Sequence, residues 1–365
     1  MHICELATRE EATTEQISMD LELLLPHLHR IEVLDIESYS YSRKLAGSIL
    51  NLWLQNGNPA LAKSLLISRP NAALVLSSTG SGRSVTIMSH SANSQAILQS
   101  LKGLHLQNVV FNWESVAYRG LVNLRLDFSR ASIPVAISIH QLSDILSANP
   151  ALSSLELGYL DIINSPDWSP IPTELYCLRI LTLSFINSES LQLLLPLISL
   201  PKSPVEIGIG PTALDLICRE LEDCLARAPN VTALKLRQDE RHLFSNWLSF
   251  LRVLPRLSIL ALDNFHMSNE PAIETNIGDH VSCPDPHLSL VLLMNCTVTL
   301  EGLHILVREH NVQILHLERC GTLVEDQNTL EDTRTYLLAA RPNLSCTISS
   351  VSEIEHLEFS RMLSL

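Results

Sequence analysis

What the chain lacks most plainly is clustered positive charge. Lys and Arg number 25 against 39 Asp and Glu, for a formal net charge of −14, and no Lys/Arg-rich run occurs. Binding to a nucleic-acid backbone leans on clustered cations, so no nucleic-acid partner is expected. An acidic surface mostly serves solubility. Paired cysteines are missing too. Cys4, Cys177, Cys218, Cys224, Cys283, Cys296, Cys320 and Cys346 form no C-x-x-C motif. They are expected to be reduced and to act as small buried hydrophobes. No apolar run reaches the roughly 18 residues of a membrane span, and the Leu-rich "LQLLLPLISLP" (191–201) is broken by Pro196, so no membrane is expected as a partner. The opening "MHICELATREEATTEQ" is polar and acidic, without the apolar core of a signal peptide. A cytoplasmic or nuclear location is the expectation.

What is present is leucine at a fixed spacing. The chain has 365 residues, 46% of them hydrophobic, enough for a large core in one extended or two compact domains. The frame L-x-x-L-x-L-x-x-C-x-L fits Leu288, Val291, Leu293, Cys296 and Val298, and begins again at Val312, Leu315, Leu317 and Cys320. Slid towards the N-terminus, its middle anchor falls on Leu260, Leu234, Ile207, Leu181, Leu155, Leu124, Leu104, Leu65 and Leu34. Most intervals lie near the roughly 20–29 residues of a leucine-rich repeat. A Leu-rich chain without repeats would scatter them.

The local physics agrees. Alternation at x-L-x-L-x describes a strand with one buried face. Segments of helical spacing follow. In "AISIHQLSDILSANP" Ile139, Leu142, Ile145 and Leu146 share a face and Pro150 ends it. Further faces are Leu191, Leu194, Leu195 and Ile198; Leu214, Cys218, Leu221 and Leu225; and Phe244, Trp247, Leu248 and Leu251. "TLEGLHILVREH" and "LEDTRTYLLAARPN" complete the series. The expected fold is α/β: a leucine-rich-repeat solenoid, a horseshoe like that of ribonuclease inhibitor. Parallel strands would line its concave face, with helices outside. One array is expected over 1–365, with an N-terminal cap at 1–30, repeats at 31–320 and a last helix, strand and cap at 321–365. The polar "STGSGRSVTIMSHSANS" reads as an insertion near 71–95.

Chemistry-bearing motifs are weak. Cys296 and Cys320 sit where the chain leaves a strand, a place for a short side chain that meets backbone groups within the turn. His27 and His29 in "PHLHR" do not share a helix face. "STGSGRS" lacks the Lys of a phosphate loop, and "VEIGIGP" breaks G-x-G-x-x-G at Ala213. His140, Ser143 and Asp144 belong to a helix and Glu156 to a strand on the opposite side, so they do not converge. No catalytic residue, cofactor or metal site is expected. The informative surface is the inferred concave face, where His105, Arg125, Glu156, Lys235 and Arg237 project and Leu292 and Met294 add an apolar end. An exposed apolar patch there would mark a partner site, unless residues 341–365 cover it. The expected partner is a protein bound on that face.

"LHLQNVVFNWESVAYRGLVNLRLDFS" (104–129), "QLSDILSANPALSSLELGYLDI" (141–162) and "LLLPHLHRIEVLDIESYS" (23–40) resemble the leucine-rich-repeat region of fungal, notably basidiomycete, F-box-like proteins. The resemblance implies a non-catalytic substrate receptor of an SCF-type ubiquitin ligase. In such proteins an N-terminal F-box docks on the ligase adaptor while the repeats hold the substrate. No F-box is recognisable here: "LELLLPHLHR" has no acidic residue after Pro26, and a strand follows at once. An adaptor is therefore expected as a partner only if an F-box is encoded upstream. The alternative is a stand-alone repeat scaffold with no link to ubiquitination.

Overall fold

A computed structural model describes residues 2–5, 22–38, 43–69, 74–77, 84–86, 91–129, 135–165, 171–212, 218–238, 251, 253–267, 287–322 and 330–349. The chain forms two compact units, Met1–Ser203 and Pro204–Leu365.

The first unit is built on seven parallel strands: β1 (His2–Glu5), β2 (Val33–Ser38), β3 (Ser64–Ser68), β4 (Gly103–Gln107), β5 (Asn123–Asp127), β6 (Ser154–Gly158) and β7 (Ile180–Ser184). Their register aligns the anchors read from the sequence. Leu34 faces Leu65, Leu65 faces Leu104, and the column continues through Leu124 and Leu155 to Leu181. The long interval between Leu65 and Leu104 does not disturb it, because the extra residues leave the ladder and return to it. Each anchor is buried to within 1% of full exclusion. The residues between anchors are half-buried or exposed, as in β3 and β4, where half-buried and buried residues alternate. One apolar sheet face with alternate side chains on the other is what leucine spaced by two dictates.

The second unit repeats the scheme with β8 (Val205–Thr212), β9 (Val231–Gln238), β10 (Ile259–Asp263), β11 (Leu290–Met294), β12 (Ile314–Glu318) and β13 (Ser345–Ser349). Ile207, Leu234, Leu260, Val291, Leu315 and Cys346 stand in one column. Both units are leucine-rich-repeat solenoid, with parallel strands and several of the described connections helical.

Among the described residues the α-helices include α1 (Arg43–Asn56), α2 (Ala92–Ser100), α3 (Ile139–Ser147), α4 (Ser188–Leu197), α5 (Cys218–Ala226), α6 (Leu300–Glu309) and α7 (Leu330–Ala340). Their starts are set locally by short polar caps that accept an otherwise unpaired backbone N–H. Ser91, Asn187 and Thr299 each do so, and Ser138 forms a reciprocal capping box with Gln141. The expected face of α3 is the buried one: Ile139, Leu142, Ile145 and Leu146. On α4 the buried set is Leu191, Leu194, Leu195 and Leu197, and Ile198 has already left the helix for a two-residue strand. Leu214 and the set Phe244, Trp247 and Leu248 lie outside the described residues, whereas Leu221, Leu225 and Leu251 are buried.

The polar insertion is more ordered than a loop. Leu74–Ser77 pairs in parallel with Ser84–Thr86 and with Val109–Phe111, and α2 begins within its last residues. The apolar and β-branched residues of "LVLS" and "SVT" explain the strands. The Ser/Gly-rich composition had masked them.

Candidate partner-binding face

Three columns of side chains line the sheet face opposite the buried leucines. In the first unit the central column runs Asp35, Leu66, His105, Arg125, Glu156 and Thr182. The next column runs Glu37, Ser68, Gln107, Asp127, Gly158 and Ser184. The structure thus brings His105, Arg125 and Glu156 together on three successive strands. The Arg125 Nε lies 3.3 Å from Glu156 Oε2, with both side chains partly exposed. Burial, reinforced by the Arg125 guanidinium, lowers the His105 pKa from 6.5 to about 4. His105 is therefore a neutral hydrogen-bonding group at physiological pH.

Beside this pair lies a hollow of about 270 Å³ lined by Arg125, Asp127, Glu156, Gly158, Tyr159 and Phe185, among others. The Tyr159 and Phe185 rings stack with centroids 4.2 Å apart and 15° between planes. Sequence reading missed both rings. Each follows directly on the last residue of its strand, and only the register shows that the two positions are neighbours.

In the second unit Lys235 and Arg237 occupy adjacent columns of β9. Arg237 Nε lies 3.2 Å from Asp263 Oδ2, a carboxylate that also accepts the Asn295 side-chain N–H at 2.8 Å. Burial lowers the Lys235 pKa, and Asp263 opposes that shift. Leu292 and Met294 stand in the same two columns on β11. Leu292 is 7% exposed, as Ala261 is 3%, while Met294 is half-buried and Ile314 is 45% exposed. On these described strands Met294 and Ile314 are thus more accessible than Leu292.

Other motifs take structural places. Cys296 and Cys320 follow β11 and β12 and are buried. Their thiols lie 3.2 Å from Met294 O and from Leu293 O, respectively. The hydrogen bond with the neighbouring Cys320 thiol, and burial after it, push the Cys296 pKa up, away from the reactive thiolate. His27 and His29 are exposed on a short 3-10 turn, Leu25–Arg30. Asp144 belongs to α3 and lines a separate hollow with Trp113, Tyr118 and Arg119, while Glu156 faces Arg125 on the sheet. Among the described residues no three His, Cys, Asp or Glu side chains gather as metal ligands would. No described helix is long and apolar enough to cross a membrane.

No protein-family model matches the chain, and no curated protein matches it. Among solved structures it matches the crystal structure of an internalin from Listeria monocytogenes, at 13% identity over 93% of this chain and 94% of that one, with a TM-score of 0.38. A likeness that distant carries no argument about function. The leucine-rich-repeat assignment rests on the register of the strands.

Proposed function

We propose that the chain is a non-catalytic protein-recognition module whose partner lies across the side-chain columns of the sheets. The observation that supports this most is the alternation of burial along the strands. It leaves rows of mostly polar and charged side chains on one sheet face while the leucines fill the core. His105, Arg125 and Glu156 in one unit, and Lys235, Arg237 and Met294 in the other, are the residues assigned to contact; Leu292 is buried beneath that face and supports it. Ion pairs between neighbouring strands, such as Arg125–Glu156, hold charged heads in fixed positions, which favours specificity over raw affinity.

The finer reading rests on the sequence resemblance alone: the module would be the substrate-binding part of an F-box-like ubiquitin-ligase receptor, working in the cytoplasm or nucleus. Its rival is a stand-alone scaffold. Affinity purification of the C-terminally tagged chain from its own cells separates the two. Co-purification of adaptor and cullin supports the ligase reading. Enrichment of other proteins without them supports the scaffold. Lys235→Glu and Arg237→Glu test the face itself. Loss of the enriched proteins from a folded variant is the expected result, and full retention by both variants would overturn the assignment.

A further inference from the structure

The repeat supplies its own control for the Tyr159–Phe185 stack. At six corners the residue that follows a strand has φ in the left-handed region: Asn108, Tyr159, Phe185, Asn264, Asn295 and Arg319. At three of these corners the residue is Asn, which tolerates that conformation better than other non-glycine residues. Its side-chain amide then bonds the neighbouring repeat: Asn108 to Arg69 O at 2.9 Å, Asn264 to Gln238 O at 3.1 Å, and Asn295 to Asp263 Oδ1 at 2.8 Å. Tyr159 (φ 55) and Phe185 (φ 54) adopt the same backbone with bulky rings and no amide to donate. Folding would be served better by Asn. The rings carry a conformational cost, and such costs gather where a site presents side chains to a ligand.

The surroundings indicate what the rings present themselves to. They border the 270 Å³ hollow together with the Asp127 and Glu156 carboxylates and one guanidinium, that of Arg125. Gly158, with no side chain, leaves its floor open between Asp127 and Ser184. The Asp127 oxygens accept from Ser129 N–H at 3.0 Å and from the Gln107 amide at 3.4 Å, and Glu156 meets Arg125 at 3.3 Å. From β2 to β7 the sheet face carries four carboxylates, Asp35, Glu37, Asp127 and Glu156, against the single guanidinium of Arg125. His105 adds no positive charge at neutral pH. The hollow is just below the roughly 300–1,000 Å³ of pockets that engulf a free small ligand. It suits one side chain of a longer partner.

We propose that this hollow receives an arginine or lysine side chain from an extended segment of the protein partner, its cation against the Tyr159–Phe185 rings and its N–H groups on Asp127 and Glu156. Cation–aromatic contact and charge complementarity act on the same group, so one residue of the partner becomes the anchor. The proposal rests on the protein-recognition reading and narrows it to one residue type.

Selection of randomised, phage-displayed peptides on the full-length chain tests it, followed by fluorescence anisotropy of the enriched peptides. The expected peptides share an Arg or Lys at one position. Replacing that residue by Ala, or Phe185→Asn in the chain, should each weaken binding about ten-fold or more. Glu156→Gln should weaken it as well, and added salt should do the same. Phe185→Asn is the decisive variant because Asn occupies that corner in sister repeats. It should unfold at a Tm equal to or above that of the parent, so lost binding cannot be ascribed to misfolding. Enriched peptides without a shared cation, cationic peptides indifferent to Phe185→Asn, or no enrichment would each overturn the proposal. The wider reading fails separately, if Lys235→Glu and Arg237→Glu retain every partner that purifies from cells.

Discussion

The side-chain oxygen of Asn149 accepts the backbone N–H of Leu121 at 2.6 Å, across 28 residues of sequence. Its amide nitrogen donates to Tyr118 O at 2.7 Å and to Ile145 O at 2.6 Å. Asn149 is fully buried, so one side chain closes the end of α3 and stitches it to the preceding repeat. Asn149→Ala would leave a buried donor and two acceptors short of partners. Each unsatisfied group costs about 1–3 kcal/mol, so a loss of roughly 3 kcal/mol or more is expected. Urea unfolding followed by circular dichroism measures it. A loss under about 1 kcal/mol would mean that water replaces the amide.

Gly210 is the backbone counterpart. Its φ is +120°, and a Cβ there would lie 2.0 Å from Arg237 O. Strain and overlap together predict that Gly210→Ala destabilises by roughly 2–4 kcal/mol. Gly158→Ala is the contrasting case, since its nearest neighbours would be at 3.5 Å, an ordinary contact. It should fold almost as the parent does. Equal thermal stability of the two variants would refute the assignment.

His105 makes stability pH-dependent. Its folded-state pKa of about 4 lies below the ordinary 6.5. As pH falls, the unfolded chain takes up the proton first, so this contribution is complete above about pH 6.5 and lost as pH falls towards 4. Linkage alone gives about 3 kcal/mol, and solvent screening of this partly exposed ring brings the expected loss to about 2 kcal/mol. His105→Gln should flatten the unfolding free energy across that window. An NMR titration of the His105 ring that shows a midpoint near 6.5 would sink this account.

Much of the architecture is legible in the leucines. Leu34, Leu65, Leu104, Leu124, Leu155 and Leu181 were found by spacing, and the strands stack them in one column. Such an inference works because each repeat must present the same apolar pair to its neighbour, whatever the loop between them. The turn role of Cys296 and Cys320 was equally local, and both thiols approach backbone carbonyls as expected. Helices α1 and α2 were less legible. The residues leading into α2 are polar and Ser-rich, and Ser91 starts it as a cap rather than through an apolar stripe.

By itself the sequence determined the repeat, the anchor columns and the set of residues able to stand on the opposite face, because these depend on spacing along one chain. Only the tertiary structure decided which of those residues meet. Tyr159 and Phe185 are 26 positions apart and touch because β6 and β7 pair in register. The low exposure of Leu292, a residue that spacing alone places on the face, was likewise decided by packing. Periodicity fixes the direction in which a side chain leaves the strand. What it meets there depends on the neighbouring strands and on everything laid over them.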